Sequence, residues 1–370
     1  MSRRRSIVLG AVLAVACAAA AAHAAGQKPA GGYTLAFGDV HNHTRYSDGS
    51  AGTPGDAFAA AKDAGADFLA TSDHNFMLTD EEWALTLEQA GAATADGFAA
   101  IAASEYWITN GYGEVIVFDV GDIRKKANFR SPRASLSRHE VIPAFLDWLA
   151  DSGGIGTWPH PGVYGDVDGF DHWSEKRDDA MAGVEIHNYG SYVGAPASWG
   201  VRDYEPQYLR ALERGWHVMP LAVSDTHAPN WISGSPVRTV LLVDGAVTPG
   251  GVLAALRAQR GYATLDESLR VSYRLGGVVM GSSVAAAPPL EAEVAVEDPD
   301  GLITRLELVT EGGRVVASTD VDAGSSSVEW RPALGERVPW AYLRVSTAES
   351  LGGGPGVTAW TAPVWVEPSD

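Results

Sequence analysis

From Tyr33 to about Leu265, short apolar runs alternate with stretches of helical period, the pattern of successive parallel β/α units. The apolar runs fall at residues 34–40, 67–71, 98–103, 114–120, 154–158, 183–186, 218–223 and 239–243. Helix starts stand between them. Thr53-Pro54-Gly55-Asp56 supplies a cap, a first-turn proline and an acidic third position, and Thr79-Asp80-Glu81-Glu82 and Ser137-Arg138-His139-Glu140 repeat the capping-box logic. Later helices are predicted around 209–214 and 252–259. About seven such repeats predict an α/β fold closing into a barrel, although the same pattern also fits an open doubly wound sheet.

Near Arg270 the pattern changes to short alternating runs at 290–296, 303–309, 315–318, 328–330, 341–345 and 362–366. Turn clusters such as Asp298-Pro299-Asp300-Gly301 and Glu311-Gly312-Gly313 join them. Close strand spacing without a helical period predicts a small C-terminal all-β, sandwich-like domain over 284–370, beside a β/α domain over 33–270.

Residues 1–24 read as a signal peptide. Arg3, Arg4 and Arg5 precede an uncharged apolar run from 7 to 22, and Ala22-His23-Ala24 is a small-x-small cleavage pattern. The chain is therefore expected to be exported, periplasmic or secreted. Lipidation at Cys17 is a minor alternative, and a twin-arginine route is open. Cys17 is the only cysteine, so the processed chain has no disulfide. No later stretch is apolar enough to span a bilayer.

With 46% apolar and 20% charged residues, the chain is neither disordered nor a coiled coil. Its formal net charge of -19 argues against a nucleic-acid partner, which requires Lys and Arg. A small anionic substrate stays compatible, because local loop charge can oppose the global sign. The oligomeric state is not legible.

Chemistry concentrates just after predicted strands, where β/α loops assemble sites. His41-Asn42-His43 follows the first run and is itself followed by Asp48. Ser72-Asp73-His74, Ser104-Glu105, Pro159-His160-Pro161 and Ser224-Asp225-Thr226-His227 follow later ones. A lone strand-end histidine reads as a hydrogen-bonded structural residue, but convergence from five strand ends reads as a metal centre. Mixed imidazole and carboxylate donors suit zinc, manganese or iron rather than calcium or copper(I). A Gly-x-Ser-x-Gly nucleophile motif is absent.

These motifs, with Tyr46-Ser47-Asp48-Gly49 and Ser72-Asp73-His74-Asn75, resemble the PHP (polymerase and histidinol phosphatase) superfamily. Their order is most similar to its exported CehA/McbA-type metallohydrolases, and the resemblance runs from about Tyr33 to Gly281. It implies a distorted (β/α)7 barrel holding two or three divalent ions. His41, His43 and Asp225 would hold one. Glu105 would bridge to a second, also held by His160, and Asp48, His74 and His227 would hold a third. Asp73 is expected to orient His74, and Glu185, His187 and Asn188 to support the site without binding metal. One position departs from the family: Glu114 stands where relatives carry a histidine, and is read as a replacement oxygen ligand.

Such a centre implies hydrolysis by a metal-activated hydroxide, with Asp225 and His160 as candidates for proton transfer. Arg124, Lys125 and Arg130, after the 114–120 run, are expected to make a basic lip for an anionic ester. Trp158 is expected to stack a substrate ring, with Trp107, Trp173, Trp199, Trp231, Tyr164 and Tyr192 nearby in the loops. Phosphoester hydrolysis is the leading expectation. Carboxyl or carbamate ester cleavage is the alternative at the same site, and a weakly catalytic envelope- or glycan-binding module is the alternative of another class. His139, His172 and His217 read as surface or packing residues.

Overall fold

The computed structural model describes residues 32–95, 97–108, 113–121, 137–163, 168–190, 202–351 and 354–369. The leader with Cys17, the basic residues Arg124, Lys125 and Arg130, and Tyr164, Tyr192 and Trp199 lie outside them.

Three parallel strands open the sheet: β1 (Thr34–Asp39), β2 (Phe68–Thr71) and β3 (Ala99–Trp107). A Cβ at Gly38 would collide with the Phe68 carbonyl, so β1 and β2 approach this closely only because that position is glycine. The next strand, β4 (Glu114–Phe118), runs antiparallel to both β3 and β5 (Ile155–Trp158). Parallel order then resumes through β6 (Met181–Asn188), which carries the short β7 (Arg202–Asp203) and pairs with β8 (Met219–Val223). Two antiparallel strands, β9 (Arg238–Val243) and β10 (Gly261–Thr264), continue the sheet from the far edge of β1.

The three expected capping boxes are present, at Thr53/Asp56, Thr79/Glu82 and Ser137/Glu140. They open helices Pro54–Asp63, Asp80–Ala93 and Arg138–Ser152; further helices are Glu175–Asp178, Glu205–Glu213 and Pro249–Arg257. No helix among the described residues is long and apolar enough to cross a membrane.

The closed seven-unit barrel is corrected to an open mixed sheet. Closure would need a ladder from the last strand back to the first, but β9 takes the free edge of β1 and β10 takes that of β9. Among the described residues no ladder joins β8 to β9; the Thr239 hydroxyl donates to the Ala222 carbonyl across that seam (3.0 Å).

Eleven more strands follow. β11 (Arg270–Leu275), β12 (Val278–Val279), β14 (Leu290–Glu297), β17 (Ser327–Trp330) and β18 (Ala333–Leu334) form a five-stranded sheet, while β13 (Ser283–Ala285) lies elsewhere. β15 (Ile303–Thr310), β16 (Arg314–Ser325), β19 (Trp340–Ser350), β20 (Gly354–Thr361) and β21 (Val364–Glu367) join β13 and the first ten strands in a sheet of sixteen. The link is β20, whose Thr361, Trp360 and Ala359 pair with Tyr262, Ala263 and Thr264 of β10. Strict in–out alternation on β14 sets Leu290, Ala292, Val294 and Val296 against Leu306, Leu308, Leu343 and Val345 of the larger sheet. The compositional change at Arg270 thus marks a change of layering, with the sheet itself continuous across it.

Candidate metal centre

The site begins with a buried carboxylate at the end of β1. Asp39 accepts from the backbone N–H of His41 (3.1 Å) and of Ser224 (3.0 Å), pinning the ends of β1 and β8 together. Beyond the strands the pairing continues. His43 N–H donates to the Thr226 carbonyl and Asp225 N–H to the His41 carbonyl, both at 3.0 Å. Asn75 N–H donates to the Glu105 carbonyl and Glu105 N–H to the Ser72 carbonyl, both at 2.9 Å. Extended backbone at positions 41–43 turns both histidines of the H-x-H toward one space, and the His74 bridge brings that side chain against Glu105.

Glu105 lies at the centre, 1% exposed. Its Oε1 lies 3.0 Å from His160 Nε2 and 3.5 Å from His41 Nε2; its Oε2 lies 3.0 Å from His74 Nδ1 and 3.4 Å from His43 Nε2. Asp225 Oδ1 approaches His41 Nε2 (3.2 Å) and His43 Nε2 (3.3 Å), and Asp48 approaches His227 Nε2 (3.2 Å) and His74 Nε2 (3.5 Å). Glu114 sits between His160 (3.5 Å) and His74 (3.7 Å). Because β4 is antiparallel, it is the first residue of this strand that reaches the same sheet edge as the last residues of its neighbours. Four overlapping donor groups result: His41/His43/Asp225, His41/Glu105/His160, His74/Glu105/Glu114 and His43/Asp48/His74/His227.

This donor set fits divalent cations. His74 Nδ1, Glu114 Oε2 and Asp225 Oδ1 are buried and face only other candidate ligands rather than well-aligned hydrogen-bond partners, an arrangement that a cation completes. The remaining imidazole nitrogens are anchored from outside. His41 donates Nδ1–H to Glu185 (2.6 Å), and His227 donates Nδ1–H to the Asp225 carbonyl (3.1 Å), so each turns Nε2 inward. Asn188 donates to Asp225 Oδ2 (3.1 Å) and Glu185 Oε2 (3.0 Å), and His160 N–H donates to Glu185 Oε2 (2.6 Å). His160 and Asp225 also adopt positive φ, 24° and 49°, conformations that L-residues hold only when their surroundings impose them.

Without a cation the charges compensate one another. Burial lowers the imidazoles, but Glu105 and its acidic neighbours outweigh it, raising His74 to about 11 and His160 to about 9. Asp225 is held well below the ordinary carboxylate range, since His41, His43 and His227 overcome its burial. Glu114 moves the other way, pushed up to about 7 by burial and then by the charge on Glu105.

All nine expected ligand residues therefore meet: His41, His43, Asp48, His74, Glu105, Glu114, His160, Asp225 and His227. Their grouping is tighter than the resemblance implied, with Glu105 and three of the histidines each shared by two groups. Asp73 does not touch His74 through its carboxylate. It accepts from Thr44 N–H (2.7 Å), Thr44 Oγ1 (2.7 Å) and Ser47 Oγ (2.6 Å), and so fixes the loop after the H-x-H. Trp158, expected to stack a substrate ring, is 7% exposed and meets Phe170 and Trp216 edge-on. With Glu114, His160 and Phe170 it lines a cavity of about 30 Å³. Trp231 donates its indole N–H to the His43 carbonyl (3.0 Å) and is structural.

The expected basic lip of Arg124, Lys125 and Arg130 lies outside the described residues. Phe76 was missed. It packs against His74 (5.1 Å) and Trp107 (4.8 Å), giving the centre one aromatic wall, and its position two residues after His74 was the available signal.

No protein-family model matches the chain, and no curated protein matches it in sequence. Among solved structures it is similar to a two-domain protein from Bacteroides vulgatus containing a predicted PHP-like metal-dependent phosphoesterase. That likeness is 14% identical over 90% of this chain and 97% of that one, with a TM-score of 0.49. A second likeness is to an amidohydrolase from Chromobacterium violaceum with bound sulfate and no metal, 15% identical over 52% of this chain and 87% of that one, with a TM-score of 0.33.

Proposed function

We propose that this chain is an exported metal-dependent hydrolase of the PHP type acting on phosphoesters. The observation that carries the reading is Glu105, a buried carboxylate shared by two overlapping His/carboxylate groups. Adjacent ions sharing a carboxylate make the clamp that in-line displacement at phosphorus uses. When bound, they supply a hydroxide nucleophile near neutral pH and polarise the scissile oxygen. His41, His43, Asp225 and His160 would hold the ions around Glu105, with Glu114 as an added oxygen donor; Asp48, His74 and His227 would hold a further ion.

The protein's own groups then divide the work. Glu185 and Asn188 orient His41 and Asp225. Asp225 is ionised at neutral pH, which suits a metal ligand rather than a proton donor. Phe76 and Trp107 shield the His74 side from water.

The test is leaving-group release by manganese-loaded protein from matched aryl phosphate mono- and diesters, and from aryl carboxyl and carbamate esters. His160→Ala is the blank. Turnover on the phosphate set is expected. Turnover confined to the carboxyl and carbamate set overturns the substrate class, and none on either set by protein that retains its metal overturns the enzyme reading.

A further inference from the structure

The chain carries a second carboxylate cluster, remote in sequence from the histidines. Asp266 lies in the turn between β10 and β11, and Asp298 and Asp300 lie in the turn between β14 and β15. One carboxylate oxygen from each falls within 4.8 Å of the others. No cation offsets them within the cluster, and Arg238, nearby, is engaged by Glu267 (2.8 Å). Asp266 is held rigidly, its Oδ1 accepting from Ser268 N–H (2.7 Å) and Leu269 N–H (3.1 Å), while the single Ser268 hydroxyl lies between Asp266 Oδ1 and Asp300 Oδ1.

The decisive residue is Asp298. It is 0% exposed, and neither of its carboxylate oxygens has a hydrogen-bond partner. A fully buried, unpartnered carboxylate aimed at two others is strongly unfavourable by itself, and a bound cation removes the penalty. Burial and the adjacent charges of Asp266 and Asp300 push its carboxyl up to about 6.

We propose that Asp266, Asp298 and Asp300 form a calcium site that ties together the two turns by which the chain crosses between the larger and the five-stranded sheet. The donors are all oxygen, which selects a hard cation over the zinc, manganese or iron suited to the histidine centre. An open pocket of about 420 Å³, lined by Asp266, Asp300 and Ser235, leaves space for the waters that complete a six- to eight-oxygen shell. Both turns cross between the two layers, from β10 to β11 and from β14 to β15, so the ion acts as a clasp between the two crossings. Ser235 lies on the segment that follows Trp231, the residue holding the His43 carbonyl, so the clasp also borders the loop that backs the metal centre.

The experiment is equilibrium dialysis of the full chain, stripped of metals, against calcium chloride. His41→Ala/His43→Ala protein serves as the control in which the histidine centre is disabled. One calcium is expected with Kd of ~10⁻⁶–10⁻³ M, retained in that control and weakened at least about tenfold in Asp300→Asn. Asp298→Asn adds an independent readout. In chelator it should melt no lower than the parent, because a buried charge has gone, while the calcium-dependent rise in melting temperature disappears. If Asp298→Asn does not fold, the exposed Asp300→Asn still decides. Absence of saturable calcium binding, or binding lost in the histidine control and kept in Asp300→Asn, overturns the site.

Discussion

The strands of the first half and those of the second solve different problems with the same backbone. β2, β5, β6, β8 and β9 are buried along their whole length, whereas β14 alternates buried and exposed residues and β16 is largely open to solvent. Strands covered on both faces leave their ends as the main place for polar chemistry. The first half accordingly collects Asp39, His41, His160 and Asp225 at or just beyond strand ends, with Glu105 two residues inside the end of β3 and Glu185 three residues inside that of β6. The alternating strands place Glu291, Glu293 and Glu297 on an open face, where they solvate the sheet. Binding chemistry and fold stability are therefore separable by region, apart from the clasp and the β10–β20 seam.

The sharpest test of that separation is Glu105→Gln. Losing the carboxylate shared by two donor groups is expected to reduce turnover by about 10³-fold or more, with loss of bound metal seen by elemental analysis. Melting in chelator should fall as well, since Glu105 is the buried counter-charge to His74 and His160. An unchanged melting temperature would show that these ion pairs add nothing to the stability of the first half without metal.

The pH dependence separates the regions by titration. In chelator, His74 and His160 have folded pKa values of about 11 and about 9, above the ordinary 6.5. Their stabilisation is complete below pH 6.5 and is lost as pH rises through 9 and then 11. Glu114, raised to about 7, acts in the same sense from about 4.5 to 7. Stripped protein should thus melt progressively lower from neutral to alkaline pH, and metal loading at pH 7 should release protons, measurable by calorimetry in buffers of different ionisation enthalpy. Equal alkaline losses with and without metal would place the effect outside the centre.

These tests follow how much of the molecule was legible. The strands of the first half and all three capping boxes depend on local pattern, and they stand within a few residues of expectation. The nine clustered residues were legible because strand-end positions converge whenever strands are parallel. Reading failed where pairing direction decides. Nothing local marks β4 as antiparallel, yet that reversal brings Glu114 to the centre. β20 was missed because Gly352-Gly353-Gly354-Pro355 reads as a turn, while the strand character of 354–361 comes from pairing with β10 and β19. Trp158 shows a further limit of local pattern: sequence places a side chain near a site without saying how much of it packing covers.

In the second half, Leu306→Ala should cost about 2–5 kcal/mol through the cavity left between the two layers, read as a lower denaturation midpoint. Metal content should be unchanged in the folded fraction. Glu185→Gln reverses the pattern. It leaves the packing intact but loosens the grip on His41 and His160, weakening metal binding by about 10–100-fold in chelator competition.

The smallest effect expected lies at the contact between the regions. Tyr342 of β19 donates its hydroxyl to Glu205 Oε1 (2.6 Å) at the start of helix Glu205–Glu213, and Arg344 also donates to Glu205 (3.1 Å) while reaching Glu307 (2.8 Å). Tyr342→Phe removes one neutral donor from a carboxylate that keeps its arginine, so the cost should be about 1 kcal/mol. Glu205→Gln leaves Arg344 with Glu307 as its remaining partner and should cost more. If instead Tyr342→Phe weakens metal binding as much as Glu185→Gln does, the helix transmits strain from the second half to β6. The division of labour between the strands would then be a property of sequence pattern rather than of energetics.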